Sequence, residues 1–229
     1  GPSRRSSVPG HSFYEVLRVL LARWLNPGLL PITISQLGEE TGYSYKPVRK
    51  ALDELSRHLE RYGHSGVELK SFPREAWSRL LLDADSVRET IRFWHEGEMP
   101  RTPASMLKRF FQIPKEETGH VGIGGVEGAR YHAPDLDLIG QPRLDFTVHW
   151  PAGTPDLGFL RKLDASLTPT KEREDACSVV VHLLRRPVDY FIDRFADPAE
   201  CLLDLQEMRL DAQARAFLRF FAVAENDDC

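Results

Sequence analysis

The chain has 229 residues, 41% of them apolar, which suffices for one large or two small packed domains and argues against global disorder. Its net charge of −4 argues against a non-specific nucleic-acid coat protein. No apolar run approaches the roughly 20 residues of a membrane-spanning helix, so we expect no membrane association. The three cysteines, Cys177, Cys201 and Cys229, are odd in number and lack C-x-x-C spacing. This argues against a disulfide scaffold or a zinc knuckle, and it favours a reducing cytoplasm.

The charge is distributed unevenly along the chain. Residues 1–70 carry ten Lys and Arg against seven Asp and Glu, whereas the remaining residues carry twenty against twenty-seven. A basic N-terminal segment followed by an acidic remainder of the chain is typical of a DNA-binding module joined to a second domain. The chain begins Gly1-Pro2-Ser3, which is typical of a protease-site remnant, and we expect residues 1–11 to be a tag remnant and disordered tail.

Three helices are predicted before residue 60. Apolar residues recur every three or four positions over 12–25, which indicates an amphipathic helix. After a short strand at 32–33, Thr33 and Gln36 fit a capping box, and Gly42 suits the left-handed end of that second helix. A third helix begins at Ser44 and is predicted to run to about Leu59, with its leucines buried.

The third helix is followed by a hairpin pattern. Residues 59–62 and 67–71 flank the tight polar turn Gly63-His64-Ser65-Gly66. Helix, helix, turn, helix and hairpin is the order of a winged helix-turn-helix. We therefore predict an α+β protein: an N-terminal winged helix-turn-helix with a following helix over 12–98, and a mixed α/β C-terminal domain over 99–229.

The remaining elements are predicted from periodicity and helix-start signals. Asp197 followed by Pro198 is a strong N-cap and first-turn pair. A helix with a break near 83–85 is expected over 74–95, and a last helix over 211–223. Short helices are expected at 106–111 and 127–132, and strands at 144–148, 178–184 and 190–195.

The helix beginning at Ser44 carries the residues that most favour DNA contact. With its leucines buried, its outward side chains are Tyr45, Lys46, Arg49 and Lys50, on a face without acids until Asp53 and Glu54. Arg49 can donate two hydrogen bonds to a guanine edge, and both lysines suit phosphates. Ser44 lies where a helix N-terminus can hold a phosphate. An ordinary solvated helix face is the alternative.

The predicted wing offers Arg61 and His64 for an adjacent minor groove, with a plain surface turn as the alternative.

A second pattern favours an enzyme. Gly124-Gly125 precedes Asp135 and Asp137 at a spacing used by nucleotidyltransferases of the polymerase-beta type, with Asp145 as a candidate third carboxylate for magnesium. Pro134 is unfavourable within a sheet, and no Ser or Thr follows the glycines. The alternative is that the glycines shape a turn and both aspartates lie on a surface loop.

The histidines His120, His132, His149 and His182 lack the spacing of a metal site, so we expect them to be exposed or hydrogen-bonded.

The order of elements resembles the AbiEi family, the antitoxins and transcriptional autorepressors of type IV toxin–antitoxin systems. The resemblance covers most of residues 30–220, and the motifs that carry it are Gly128 to His132, the strand after Pro142-Arg143, and Ala196-Asp197-Pro198 followed by Asp204-Leu205. It implies a winged helix that binds operator repeats near its own promoter, and a C-terminal domain that helps to neutralise or offset a nucleotidyltransferase toxin. The Gly124-Gly125 and Asp135/Asp137 elements depart from the commoner family pattern.

The expected function is therefore that of a cytoplasmic, sequence-specific, double-stranded DNA-binding regulator, an antitoxin-like autorepressor without catalysis or cofactor. Its expected partners are operator DNA, bound by a monomer or a homodimer, and a cognate toxin, directly or indirectly. The alternative is a magnesium-dependent, nucleotidyltransferase-like enzyme with an attached winged helix.

Overall fold

The computed structural model describes residues 11–26, 28–138, 143–170 and 177–221. Within these ranges the protein is a mixture of α-helices and two β-sheets, as the α+β prediction requires. The chain forms two compact units that divide at Val87/Arg88, and the short segment Arg186–Val188 belongs to the first unit. Of the predicted tail, residues 1–11, the first ten lie outside the described residues, whereas His11 is already the first residue of a helix.

The first unit combines helices with a small antiparallel sheet. Strand β3 lies between β1 and β2. The elements in chain order are α1 (His11–Trp24), β1 (Ile32–Thr33), α2 (Ile34–Thr41), α3 (Tyr45–Glu54), a 3-10 turn (Ser56–His58), β2 (Leu59–Tyr62), β3 (Gly66–Leu69) and α4 (Arg74–Val87).

The local signals of α2 are confirmed. The backbone amide of Gln36 donates to Thr33 Oγ1 at 3.2 Å, and the amide of Thr33 donates to Gln36 Oε1 at 3.0 Å, which completes the capping box. Gly42 ends the helix in the left-handed region at φ 78°. A Cβ on Gly42 would lie 3.3 Å from the Pro187 ring, so both the conformation and the space favour glycine.

Helix α1 is the centre of the first unit, since most of its residues are buried. It packs against α2, α3, α4 and β3. Even its Arg18 is buried, where the guanidinium donates to Glu15 across 2.6 Å. A helix that is buried nearly all round fixes the positions of the elements around it.

The second unit is built on a five-stranded sheet in the order β5-β6-β8-β4-β7, in which β6 and β8 are parallel and the other neighbours antiparallel. Its elements are β4 (Glu89–His95), α5 (Pro103–Gln112), a 3-10 turn (Lys115–Glu117), β5 (Val121–Ile123), α6 (Gly125–His132), β6 (Leu144–His149), α7 (Phe159–Leu163), β7 (Leu167–Thr170), β8 (Val179–Leu184), α8 (Pro198–Glu207) and α9 (Asp211–Phe221).

The central strand β8 is buried along its whole length. Val179, Val181 and Leu183 join an apolar core with residues of α5 and α7, including Phe110 and Phe159. Because side chains alternate along a strand, Val180, His182 and Leu184 face the opposite side. That side carries polar residues of the sheet, and α8 covers it.

Two predicted elements are wrong. The helix over 74–95 stops at Val87, and Glu89–His95 is strand β4, paired with β7 and β8. Its Thr, Ile, Phe and Trp residues favour a strand that neighbouring strands can pair with. Residues 190–195 form only isolated bridges through Ile192 and Phe195 instead of a strand.

Two boundaries also differ from the prediction. Helix α3 ends at Glu54, and a 3-10 turn leads into β2, although Leu55 and Leu59 are buried as expected. The units divide at Val87/Arg88, before the predicted boundary at 98/99, because β4 belongs to the large sheet. In the described ranges, none of the helices combines the length and the apolar character needed to cross a bilayer.

Candidate nucleic-acid interface

Helix α3 places a polar, mainly basic side outward because its apolar side is fixed in the core. Val48, Ala51 and Leu52 are buried. Tyr45 is 61% exposed, and Lys46 and Lys50 are exposed. The helix therefore presents an aromatic ring and two ammonium groups on one accessible side, as the sequence predicts.

Arg49 lies on the same helix, with 43% of its side chain exposed. Its Nε donates to Asp53 Oδ1 at 3.1 Å, one helical turn further along. An exposed pair at this spacing contributes only about 0.3–0.5 kcal/mol. A phosphate or a guanine edge can therefore compete with Asp53 for the guanidinium.

Ser44 is the N-cap residue of α3, in an extended conformation at φ −73° and ψ 167°. It is exposed, and its hydroxyl makes no capping hydrogen bond to the described helix, in contrast to Thr33 on α2. A helix N-terminus with its positive dipole end and an uncommitted hydroxyl suits an anion.

The hairpin of β2 and β3 exposes the two predicted wing residues, Arg61 and His64. Its outer face is acidic, since Glu60 and Glu68 lie opposite each other. Tyr62 donates to Glu68 Oε1 at 2.5 Å, and this hydrogen bond raises the pKa of Tyr62 to about 12. This outer face therefore repels phosphate, so that the tip at His64 is the part of the hairpin best suited to DNA.

The predicted magnesium set is not assembled. Asp135 and Asp137 lie exposed in the loop after α6, whereas Asp145 is buried on β6. Among the described residues, Asp145 groups instead with His182 and Asp204. Gly140 and Pro142, whose residue types indicate a turn between these aspartates and β6, lie outside the described residues.

Carboxylates of the protein itself lie close to the backbone of Gly124 and Gly125. The amide of Gly125 donates to Asp204 Oδ2 at 2.7 Å. A Cβ on Gly124 would lie 2.4 Å from the same oxygen, and one on Gly125 would lie 2.6 Å from Asp145 Oδ2. The space that a triphosphate would need beside these glycines is thus filled by two aspartates.

The histidines are placed as expected, with one exception. His132 Nε2 contacts the Ala196 carbonyl at 2.7 Å, and burial lowers the pKa of His132. His149 lies 3.1 Å from Asp189, and His120 lies 3.1 Å from the Asp156 carbonyl. The exception is His182, which the structure places in a group that could hold a metal ion.

Sequence reasoning missed a buried charged cluster between the sheet and α8. Its members are Arg88, Arg92, Arg143, Asp145, His182, Glu200, Asp204 and Glu207. They come from β6, β8, α8 and the chain around β4, so no local spacing relates them. The one available signal was the pair of acids inside the otherwise apolar start of α8.

The cluster shifts the ionisation of its members. Burial raises the pKa of Asp204 above its ordinary value, although Arg88 and His182 oppose this. Burial acts to raise the pKa of Glu207 as well, but there the positive charges of His182, Arg88 and Arg143 prevail and lower it to about 2. Burial acts to lower the pKa of Arg143, whereas Asp145 and Glu207 raise it above its ordinary value.

Comparison of the chain with protein-family models, curated proteins and solved structures finds no match in any of the three.

Proposed function

We propose that the first unit is a winged helix-turn-helix and that the protein is a sequence-specific, double-stranded DNA-binding transcriptional regulator. The observation that carries the proposal is the outward side of α3, where Tyr45, Lys46 and Lys50 are exposed without an acidic neighbour before Asp53.

The geometry of the helix pair supports this assignment. Three residues, 42–44, separate α2 from α3, which matches the turn of a helix-turn-helix. Helix α3 has ten residues and is therefore about 15 Å long, a length that fits across a major groove. The antiparallel hairpin that follows it in the chain is the element that we assign as the wing.

Each side chain of this surface has a distinct role in the proposal. Lys46 and Lys50 neutralise phosphates, and the N-terminus at Ser44 binds a third. Arg49 exchanges Asp53 for the O6 and N7 atoms of a guanine. His64, and less directly Arg61, contact the backbone or the minor groove beside the site.

The biological role that we propose is autorepression by an antitoxin-like protein, in line with the AbiEi resemblance. The operator is then a repeat near the promoter of its own gene, bound by one or two copies of the chain. A cognate toxin is the proposed second partner, directly or indirectly, and the cytoplasm is the proposed location. The exposed positions of Asp135 and Asp137 give no support to the nucleotidyltransferase alternative.

The test is selection of duplexes from a random pool by the intact chain, together with a shift assay on DNA upstream of its own gene. We expect an enriched site and an affinity that falls steeply with salt. Lys46→Ala is expected to weaken all duplexes alike and to reduce the salt slope by about 1, whereas Arg49→Ala loses about 1–3 kcal/mol on the selected site only.

Lys108→Ala is the matched control, because it removes the same charge from an exposed position in the second unit. It is expected to leave both measurements unchanged. A pool without an enriched sequence, or equal effects of Lys46→Ala and Lys108→Ala, would overturn the proposal.

A further inference from the structure

His182 lies at the centre of the buried cluster, and its hydrogen bonding fixes its tautomer. Its Nδ1 is 2.9 Å from Thr90 Oγ1 on the neighbouring strand. The hydroxyl of Thr90 donates its own hydrogen to the Arg88 carbonyl at 3.3 Å. Thr90 Oγ1 therefore accepts from His182 Nδ1–H, which leaves the Nε2 lone pair of a neutral imidazole pointing the other way.

Three carboxylates lie near the Nε2 atom. Asp204 Oδ1 lies 3.2 Å away, Glu207 Oε2 3.6 Å and Asp145 Oδ1 3.7 Å. The His182 side chain is 2% exposed, and Nε2 has no hydrogen-bond partner among the described residues. A lone pair directed at anions in a dry site is unfavourable, so the site requires a positive centre there, either a proton on Nε2 or a metal ion.

Two separations between candidate ligand atoms are close to those around a small metal ion. A tetrahedral zinc ion at about 2.0–2.1 Å from its ligands separates them by about 3.3–3.4 Å. His182 Nε2 lies 3.2 Å from Asp204 Oδ1 and 3.7 Å from Asp145 Oδ1, and ligand atoms of these three residues all lie within 4.8 Å of one another.

From this geometry we propose that Asp145, His182 and Asp204 form a structural site for a divalent transition-metal ion, with Zn²⁺ as the ion that fits best. One imidazole and two carboxylates are hard-to-borderline ligands suited to Zn²⁺ or Mn²⁺. A fourth ligand is available from Thr147 Oγ1 or a water, since Thr147 lies opposite His182 on β6 and its buried hydroxyl has no partner among the described residues.

The surrounding residues orient the ligands as a metal site requires. Arg88 and the Gly125 amide hold the two oxygens of Asp204 at 2.6 and 2.7 Å, respectively. Arg143 holds Asp145 Oδ1 at 2.9 Å, and Thr90 orients His182. Such outer contacts fix the tautomer and the direction of metal ligands. The ion would join β6, β8 and α8 at one point.

The test begins with the intact chain after removal of metal by a chelator and dialysis. Titration with Zn²⁺ alone is expected to give one bound ion per chain with a dissociation constant below about 1 μM, and an excess 100-fold above that constant raises the free energy of unfolding by about 2.7 kcal/mol. X-ray absorption at the zinc edge is expected to show nitrogen and oxygen ligands at about 2.0 Å and no sulfur.

Asp145→Asn and His182→Gln are expected to weaken binding at least 100-fold. His149→Gln is the matched control, because His149 is on the same strand as Asp145 but lies outside the group, and it is expected to bind like the unchanged chain. The X-ray absorption measurement needs no variant, so the proposal remains testable even if the variants do not fold.

Failure of the folded, metal-free chain to bind Zn²⁺ or Mn²⁺ would overturn the proposal and assign a proton to Nε2. Sulfur ligands, or equal binding by His182→Gln and the unchanged chain, would overturn it as well. None of these outcomes bears on DNA binding by the first unit, which is tested separately.

Discussion

Arg88 and Asp204 are 116 positions apart in the chain, yet the guanidinium of Arg88 donates to Asp204 Oδ1 across 2.6 Å. The side chains are only 3% and 0% exposed. A buried pair of this kind joins the start of the large sheet to α8. Removal of either charged side chain lowers the stability of the fold, because the remaining charge has no access to water.

The first prediction concerns this pair. Arg88→Met is expected to lower the free energy of unfolding by about 3–5 kcal/mol, since it leaves Asp204 buried without its guanidinium. Urea denaturation followed by circular dichroism measures the change. Arg92→Met is the control, because Arg92 is 17% exposed and contacts Glu207 at 3.1 Å. Similar losses in the two variants would contradict this view of the pair.

The second prediction concerns the contact between Arg49 and Asp53 on α3. Asp53→Asn weakens the interaction of residue 53 with the Arg49 guanidinium and removes a negative charge from the proposed DNA-facing side. We therefore expect binding of the selected duplex to tighten about 3- to 10-fold, mostly through faster association at low salt. Asp137→Asn removes an equally exposed charge from the second unit and is expected to change nothing. Weaker binding by Asp53→Asn would be inconsistent with the proposed surface.

The third prediction concerns Gly124, where a Cβ would lie 2.4 Å from Asp204 Oδ2. Gly124→Ala must displace the carboxylate that the Gly125 amide holds, and overpacking of this kind costs about 1–3 kcal/mol. Thermal unfolding measures the loss. Gly119→Ala is the control, because its Cβ would meet only the Lys115 carbonyl at an ordinary 3.6 Å. An unchanged unfolding midpoint for Gly124→Ala would show that a Cβ fits between Gly124 and Asp204 without displacing the carboxylate.

The fourth prediction concerns His132, whose pKa burial lowers below the ordinary value of 6.5. Between the folded and unfolded pKa values, the unfolded chain binds more protons, so stability increases with pH. The contribution of His132 to the free energy of unfolding is complete above about pH 6.5, and it decreases as the pH falls from there towards the pKa of His132 in the folded protein.

His132→Gln keeps an N–H donor for the Ala196 carbonyl but does not titrate. Urea denaturation at pH 8 and at pH 5 is therefore expected to show a smaller loss of stability for His132→Gln than for the unchanged chain. Parallel pH profiles of the two proteins would exclude His132 as a source of acid sensitivity.

Elements whose signals are local could be predicted from the sequence. The capping box at Thr33, the left-handed Gly42 and the Asp197-Pro198 start depend on neighbouring residues alone, and each is confirmed. The buried strand β8 was equally predictable, because a run of β-branched residues needs no knowledge of its partners.

Elements that depend on distant partners were not predictable. Glu89–His95 was assigned to a helix, since its strand character depends on pairing with β7 and β8 far along the chain. The same limit applies to the buried cluster. His182 becomes a candidate ligand only because β8 lies beside β6 and under α8. No spacing within the sequence indicates that these three elements pack together. The exposed side of α3, by contrast, depends on one helical period and was predicted.

The segment Arg186–Val188 has a consequence for the order in which the protein is made. It follows β8 in the chain, yet it belongs to the first unit, where Arg186 is fully buried and Pro187 lies against Gly42. A ribosome must therefore synthesise all five strands of the large sheet before the N-terminal unit has its last residues. A fragment cut at Val87 would lack them altogether, so the isolated first unit should be made with this short segment restored.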